Sequence, residues 1–242
     1  AGKLETGKIT SQTDLFLQFF HRQVVGVTGT KGKSTTASLI ANILKTSGKD
    51  TLLAGNIGNP VFHIAGLIRE ETIVVLELSS HQLEFLTRGP HMAVMLNFFQ
   101  EHLDAYPSYE AYQQAKVNII RYQSEHDFLI FSADDPILSE KVKTFLPYRH
   151  CYPFSFYPVS DFGISMEDDQ LVFHDGNQHQ PVWNIHQDRF LKGSHNLRNI
   201  IAAATVARLL GVSNENLEDG IATFKGLEHR LEYVGESGGI HF

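Results

Sequence analysis

Cysteine is nearly missing from this chain. Cys151 stands alone among 242 residues, so an internal disulfide is excluded and a reducing, cytoplasmic compartment fits. The lone thiol reads as a packed residue rather than a nucleophile. No uninterrupted apolar run approaches the ~18 residues that a membrane-spanning helix needs, and Ala1 to Lys8 lacks the apolar centre of a secretion signal. Basic charge is scarce: 20 Lys and Arg against 27 Asp and Glu leave a net charge of -7. That balance argues against nucleic acid as a bulk partner, because binding a phosphate backbone needs basic patches. It leaves room for a nucleotide, which needs only a local cluster. There is no Cys-x-x-Cys and no His-Glu-x-x-His, and most of the 13 histidines are scattered, so a zinc site is not expected. Internal repeats and low-complexity tracts are absent as well.

What is present is one dense motif. Val24-Val25-Gly26-Val27 reads as a short buried strand, and Ala37 to Leu44 has helical spacing. Between them lies Gly29-Thr30-Lys31-Gly32-Lys33-Ser34-Thr35. A strand, a glycine-rich turn and a Gly-Lys-Ser opening a helix suit a nucleoside triphosphate. Glycines let backbone N–H groups turn inward around phosphate, the helix start adds partial positive charge, and Lys33 adds a full one. The Ser34 hydroxyl is placed to ligate Mg²⁺. The match to a strict P-loop is incomplete, since Val27 occupies the position of its first glycine. The plainer alternative is a glycine-rich turn carrying two solvated lysines.

Around this motif, apolar strand candidates at 24–28, 51–54, 72–77, 91–96 and 127–132 alternate with helix candidates at 33–46, 60–69, 108–122 and 135–145. Thr13 or Asp14 is expected to cap an earlier helix. Such alternation predicts βαβ units: an α/β fold with a mainly parallel P-loop-type sheet flanked by helices. Beyond 150 the texture changes to period two, at 162–166, 171–174 and 181–185, which predicts a small appended antiparallel sheet. A long helix through Asn196 to Leu210 stops at Gly211, and Ser213 is expected to cap a helix over 214–223. Leu231 to Val234 and Ile240 to Phe242 read as two strands of a hairpin.

Four further clusters fall at strand ends or on the following helices, the edge where open parallel sheets bind ligands. Gly55-Asn56-Ile57-Gly58 is either a ligand-facing turn or a loop whose glycines serve positive φ. Glu77, closing an apolar strand, suits Mg²⁺ held directly or through water; Ser79 or Ser80 beside it would otherwise only cap a helix over 81–86. In Asn97-Phe98-Phe99-Gln100-Glu101-His102-Leu103-Asp104 a histidine sits with carboxylates, or Asp104 caps a helix beside an exposed histidine. Lys116 lies beside apolar residues on a helix, where an isolated lysine is ordinarily a solvated one.

Taken in order with Gly226-Leu227-x-His229-Arg230, these motifs resemble the Mur ligase family, over about residues 10–240. Within it, Glu77-Leu78-Ser79-Ser80-x-Gln82-Leu83 with Gly55-Asn56-Ile57-Gly58 is most similar to the D-glutamate-adding branch. The family's loop lacks the first glycine of the strict pattern, as Val27 does. Lys31 and Phe98-Phe99-Gln100 depart from the family's usual residues.

The resemblance implies an ATP-dependent ligase that activates a substrate carboxylate as an acyl phosphate, which an amino-acid amine then attacks. It implies that Gly29, Thr30, Lys31, Gly32, Lys33, Ser34, Thr35, Asn196 and Arg230 contact ATP. It places two Mg²⁺ ions, on Ser34 and Glu77 and on His102 and a carbamylated Lys116, and makes Lys33, Lys116 and His102 catalytic. Asn56, Ser79 and Gln82 would lie near a UDP-linked muramoyl substrate, with D-glutamate as the favoured acceptor. The implied organisation is an interdomain segment at 1–20, a central ATP-binding domain at 21–234, and the start of a further domain at 235–242. Neighbouring domains of the same protein are then partners, and the central domain alone is not expected to complete ligation. A ligase with another acceptor, including a folylpolyglutamate type, or a nucleotide-binding module without catalysis, are the alternatives.

Overall fold

The computed structural model describes residues 10–101, 105–145, 150–159, 161–176, 178–227, 235–238 and 240–241. Its first helix, α1 (Gln12–Phe20), is capped by Ser11, whose side chain accepts the Asp14 N–H, and not by Thr13 or Asp14. Asp14 instead turns inward and accepts the Thr87 N–H.

Then βα units follow: β1 (Val24–Thr28), α2 (Lys33–Thr46), β2 (Thr51–Gly55), a short α3 (Val61–Ile64), β3 (Ile73–Glu77), a one-turn α4 (Ser80–Leu83), β4 (Met92–Met95), α5 (Tyr109–Arg121), β5 (Phe128–Ser132) and α6 (Pro136–Val142). Next come β6 (His150–Ser155), β7 (Phe162–Glu167), β8 (Gln170–Asp175) and β9 (Gln178–Asn184). Two helices, α7 (Ser194–Leu209) and α8 (Asn214–Thr223), and a small hairpin of β10 (Glu236–Ser237) and β11 (Ile240–His241) end the described chain. The hairpin partner of β11 is β10; the strand expected at Leu231 to Val234 lies outside the described residues.

The first nine strands form one sheet in the order β2-β3-β1-β4-β5-β6-β7-β8-β9. Neighbours from β2 to β7 run parallel, and only β8 and β9 alternate in direction. The antiparallel part is therefore hydrogen-bonded onto the parallel sheet through β6 and β7 rather than standing apart. β6 had no expectation of its own. It carries Pro153 and its side chains do not alternate cleanly in polarity.

The parallel strands are rich in Val, Ile and Leu because both faces are covered. Val25, Val27, Val75, Val94 and Ile130 pack against α2 and α7 on one face. Val24, Val74, Leu76, Ala93, Met95, Leu129 and Phe131 pack with Phe16 and Leu17 of α1 on the other. Leu39, Ile40, Ile43 and Leu44 give α2 the apolar stripe that fixes its rotation.

Strand order reverses at β1, which leads out to β2 on one side and, after β3, to β4 on the other. The crevice at such a reversal, beyond the carboxyl ends of the strands, is where a doubly wound sheet receives ligands.

At the β6–β7 junction Gly163 has φ +113°, and a Cβ there would lie 1.9 Å from the Pro153 carbonyl oxygen. Gly163→Ala is expected to destabilise the protein by roughly 3 kcal/mol, from backbone strain and loss of the junction. Thermal unfolding should report it as a fall on the order of 10 °C; an unchanged midpoint would show that the junction does not hold the two parts together.

Candidate functional site

The glycine-rich turn leaves β1 between the ends of β3 and β4, and each neighbour contributes to holding it. Gly29 is in an extended positive-φ conformation, and a Cβ there would meet Leu96 Cβ at 2.9 Å. Gly32 is left-handed at φ +87° and begins α2 without any side-chain cap. A Cβ on Gly32 would come within 2.5 Å of Asn199 Oδ1. The first-turn amides of α2 have no partner within their own helix. Thr30 Oγ1 lies 3.0 Å from the Tyr112 hydroxyl and accepts the Phe99 N–H at 2.9 Å. Lys33 folds back to donate to the Thr30 carbonyl at 2.8 Å.

Lys116 is almost fully buried, 1% exposed, although it lies on a helix facing the sheet edge. Its ammonium donates to the Gly29 carbonyl at 2.8 Å and sits 5.0 Å from the centroid of the Tyr112 ring. Burial first, and then the nearby positive Lys33, push its pKa down from 10.5 to about 7; Glu101 and Glu77 oppose this. Burial likewise pushes the Tyr112 phenol up to about 12, against the opposing hydrogen bond with Thr30.

Glu77 closes β3, pairs in register with Val27 of β1 and Gly55 of β2, and is 1% exposed. The Asn56 amide lies 3.4 Å from its Oε1, and its Oε2 is buried without a hydrogen-bond partner. Gly55, at φ +104°, lets this strand edge close up: a Cβ would stand 2.2 Å from the Glu77 carbonyl oxygen. Ser79 and Gln82 form a capping box at the start of α4, each serving the other's backbone or side chain. Their side chains are thus tied to α4 first.

Beside the turn opens a cavity of about 940 Å³, lined among others by Lys31, Gly32, Thr35, Asn97, Asn196 and Arg198. Asn196 and Asn199 form a buried chain into the turn. The Asn196 amide donates to the Lys192 carbonyl, the Asn199 amide to Asn196 Oδ1, and Thr36 Oγ1 to Asn199 Oδ1. The acidic wall is Asp134, which accepts from Ser155 and Phe156, and Asp135, which caps α6 and accepts the Phe98 N–H at 2.7 Å.

The structure therefore brings Gly29 to Thr35, Asn56, Glu77 and Lys116 to one sheet edge, and sets Asn196 across the cavity. His102 and Arg230 lie outside the described residues. Among the described residues no group of three or more His, Cys, Asp or Glu is arranged to hold a metal ion. Asn199, Tyr112, Asp134 and Phe190, the last also lining the cavity, were not singled out beforehand. Asn199 had a signal, standing one helical turn after Asn196, whereas Asp134 and Phe190 come from connections with no distinctive spacing.

A doubly wound α/β sheet with a phosphate-loop-type turn at its switch point defines the class. The family model described as Mur ligase middle domain matches residues 27–207, and the chain belongs to that family. It is 38% identical over 229 residues to the UDP-N-acetylmuramoylalanine–D-glutamate ligase of Oceanobacillus iheyensis, covering 94% of this chain and 49% of that protein. It is 38% identical over 245 residues to the ligase of the same name from Acetivibrio thermocellus, covering 100% and 51%. The chain thus spans about half the length of the curated relatives it matches. Among solved structures, a UDP-N-acetylmuramoyl-L-alanyl-D-glutamate–2,6-diaminopimelate ligase superposes with a TM-score of 0.72 at 21% identity, over 93% of this chain and 52% of that one. The MurF ligase of Thermotoga maritima in complex with ADP gives 0.66 at 24% identity, over 93% and 54%. These likenesses concern the fold.

The Lys116 ammonium makes stability depend on pH in a defined direction. Between about 7, its folded value, and 10.5 the unfolded chain binds the extra proton, so its contribution to stability rises with pH. Below about 7 both states are protonated and the burial penalty is fully present. In CO₂-free buffer, Lys116→Met is expected to be more stable than the parent near pH 7 and to lose that advantage toward pH 10. The difference should change by at most about 1.4 kcal/mol per pH unit. Urea unfolding at pH 7, 8.5 and 10 measures it; a pH-independent difference would mean that Lys116 does not titrate in this range.

Proposed function

We propose that this chain is the ATP-binding portion of an amide-forming ligase that adds D-glutamate to UDP-N-acetylmuramoyl-L-alanine, through an acyl phosphate, in peptidoglycan precursor synthesis. The observation that carries the reading is the gathering, at one strand-order reversal, of the Gly29–Ser34 turn, the buried Glu77 and the buried Lys116 beside a cavity of nucleotide size. The relatives' names support the substrate assignment, and the ADP complex of the Thermotoga maritima structure supports the choice of nucleotide.

Each residue has a role under this reading. The amides of the α2 first turn and Lys33 bind phosphate oxygens, with Lys33 leaving the Thr30 carbonyl to do so. Asn196 and, with it, Asn199 face the rest of the nucleotide. Arg230 is assigned to ATP on the motif alone. Asn56, Ser79 and Gln82 line the approach of the muramoyl substrate, with Asn56 also steadying Glu77.

Mg²⁺ fits the residues present. The unpartnered Glu77 Oε2 is a buried carboxylate oxygen in want of a donor or cation, and Ser34 supplies a hydroxyl on the same edge. Ser34 and Glu77 would hold one ion, and His102 with a carbamylated Lys116 a second; bound Mg²⁺ would offset charge on the phosphates. A lysine with a pKa of about 7 has a substantial neutral fraction at physiological pH, and the neutral amine is the form that adds CO₂. The resulting carbamate places an anion where the parent side chain is a cation.

The reading is tested on the full-length protein by substrate-dependent phosphate release. UDP-N-acetylmuramoyl-L-alanine and D-glutamate together should stimulate ATP hydrolysis; stimulation only with a different acceptor would move the assignment to another branch. Lys33→Ala should weaken ATP binding by at least tenfold with the fold intact, and retained affinity would remove the phosphate role from this turn. Lys116→Ala should lose most activity and regain part of it with added short-chain carboxylic acids, whereas full activity without them would sink the carbamate.

A further inference from the structure

We propose that Asn97 is a positioning residue for phosphate recognition: its carboxamide clamps the turn after β1 so that the amides of α2 face the phosphate chain. The inference rests on the nucleotide reading above and deepens it.

Asn97 follows the end of β4, alongside β1, and lines the cavity. Its Oδ1 accepts the N–H of Thr30 at 3.0 Å and the N–H of Lys31 at 2.8 Å. Its Nδ2 donates to the Lys31 carbonyl at 2.9 Å. Its own backbone carbonyl also accepts the Thr30 N–H at 3.0 Å. One planar amide thus engages both the N–H and the C=O of Lys31, which fixes the peptide planes on either side of that residue. Only an amide side chain carries a donor and an acceptor in this fork; a carboxylate would set a second acceptor against the Lys31 carbonyl.

Two consequences follow. The amides of Thr30 and Lys31 are already engaged by Asn97, so the phosphate cradle is built from the residues after them. The next residue, Gly32, receives its left-handed conformation with Lys31 already fixed, and Gly32 sets the direction in which α2 departs. One other contact shares the Thr30–Lys31 peptide, the Lys33 ammonium on the Thr30 carbonyl, and under the nucleotide reading it leaves when phosphate binds; the others are Lys116 on the Gly29 carbonyl and Tyr112 and Phe99 on the Thr30 side chain. The clamp at Lys31 is therefore local, and its loss should disorient the cradle while leaving the rest of the cavity in place.

The test uses the full-length protein with Mg-ADP and adenosine as probes. Asn97→Ala should raise the Kd for Mg-ADP at least tenfold and leave that for adenosine, which has no phosphate, within twofold. Asn97→Asp should weaken Mg-ADP further, since it adds negative charge beside the phosphates. Residue-resolved amide exchange on the nucleotide-free protein should show Lys31 losing at least tenfold protection in Asn97→Ala, whereas Thr30 keeps the Asn97 backbone carbonyl as its acceptor. Equal losses for ADP and adenosine, or Mg-ADP affinity within twofold of the parent, would overturn the positioning role. Unchanged exchange at Lys31 would overturn the clamp itself. Should the parent protein fail to bind Mg-ADP, the nucleotide reading falls, and amide exchange alone still decides whether Asn97 holds the turn. If Asn97→Ala does not fold, Asn97→Ser, which keeps a hydroxyl acceptor, takes its place in both measurements.

Discussion

The turn between β1 and α2 has almost no steric slack, and the site is organised by that fact. Gly29 lies against Leu96, and Gly32 lies against the side-chain oxygen of Asn199. A methyl group would press on the end of β4 at the first place and push aside the Asn199 side chain at the second. The turn is tight because β1 is interior to the sheet, with β3 and β4 hydrogen-bonded on its two sides. Val27, where a strict P-loop has its first glycine, is still inside β1, fully buried and paired with Glu77 and Val94. A side chain is useful there for the core, and the glycines are needed only from the point where the chain leaves the ladder.

The same tightness explains the electrostatics. A lysine and a glutamate are both buried at this edge, yet no ion pair joins them among the described residues. Lys116 is held by a carbonyl dipole and an aromatic face, which compensate an ammonium less fully than a carboxylate would. Glu77 keeps one oxygen with no donor. Buried groups left short of partners are costly in a folded protein, and they concentrate at functional sites, where something bound completes them. Burial is the main reason the Lys116 proton is held weakly, and the positive Lys33 nearby adds to the cost.

The parallel sheet was legible because strands covered on both faces must be apolar throughout, and β1 to β5 are such runs. The motif residues at their ends followed directly, since strand ends at a reversal of order converge. Legibility failed where the chain departs from a simple period. β6 carries His150, Cys151 and Pro153, and it tolerates the proline because its pairing with β7 begins only at Phe154. The burial of Lys116 could not be read from helical spacing alone: Tyr112, Ile119 and Ile120 flank it on a face that any amphipathic helix might bury, and only the family motif singled it out. Asn97 was visible as part of a motif, but its role depends on the register of β4 against β1, which no single-chain pattern encodes.

The way the helices begin ties the cavity to the fold. Ser11, Ser79, Ser108, Asp135 and Ser213 cap α1, α4, α5, α6 and α8 with side-chain oxygens. The two long helices α2 and α7 begin instead at glycines, Gly32 and Gly193, with no side-chain cap. Residues at the start of both, Gly32 and Thr35 on one and His195 and Asn196 on the other, line the same cavity. A cap at either glycine would satisfy first-turn amides and neutralise the helix start. Its absence at both leaves two sets of amide donors and two positive helix ends around one space, an arrangement suited to an anion. The Asn196–Asn199 chain joins the two helix starts to each other, so the cavity's two walls are fixed relative to the turn. The short α3, which begins at Pro60, also lacks a side-chain cap, but among the described helices of seven residues or more only α2 and α7 do, and both open onto this cavity, as a surface for an anionic ligand would require.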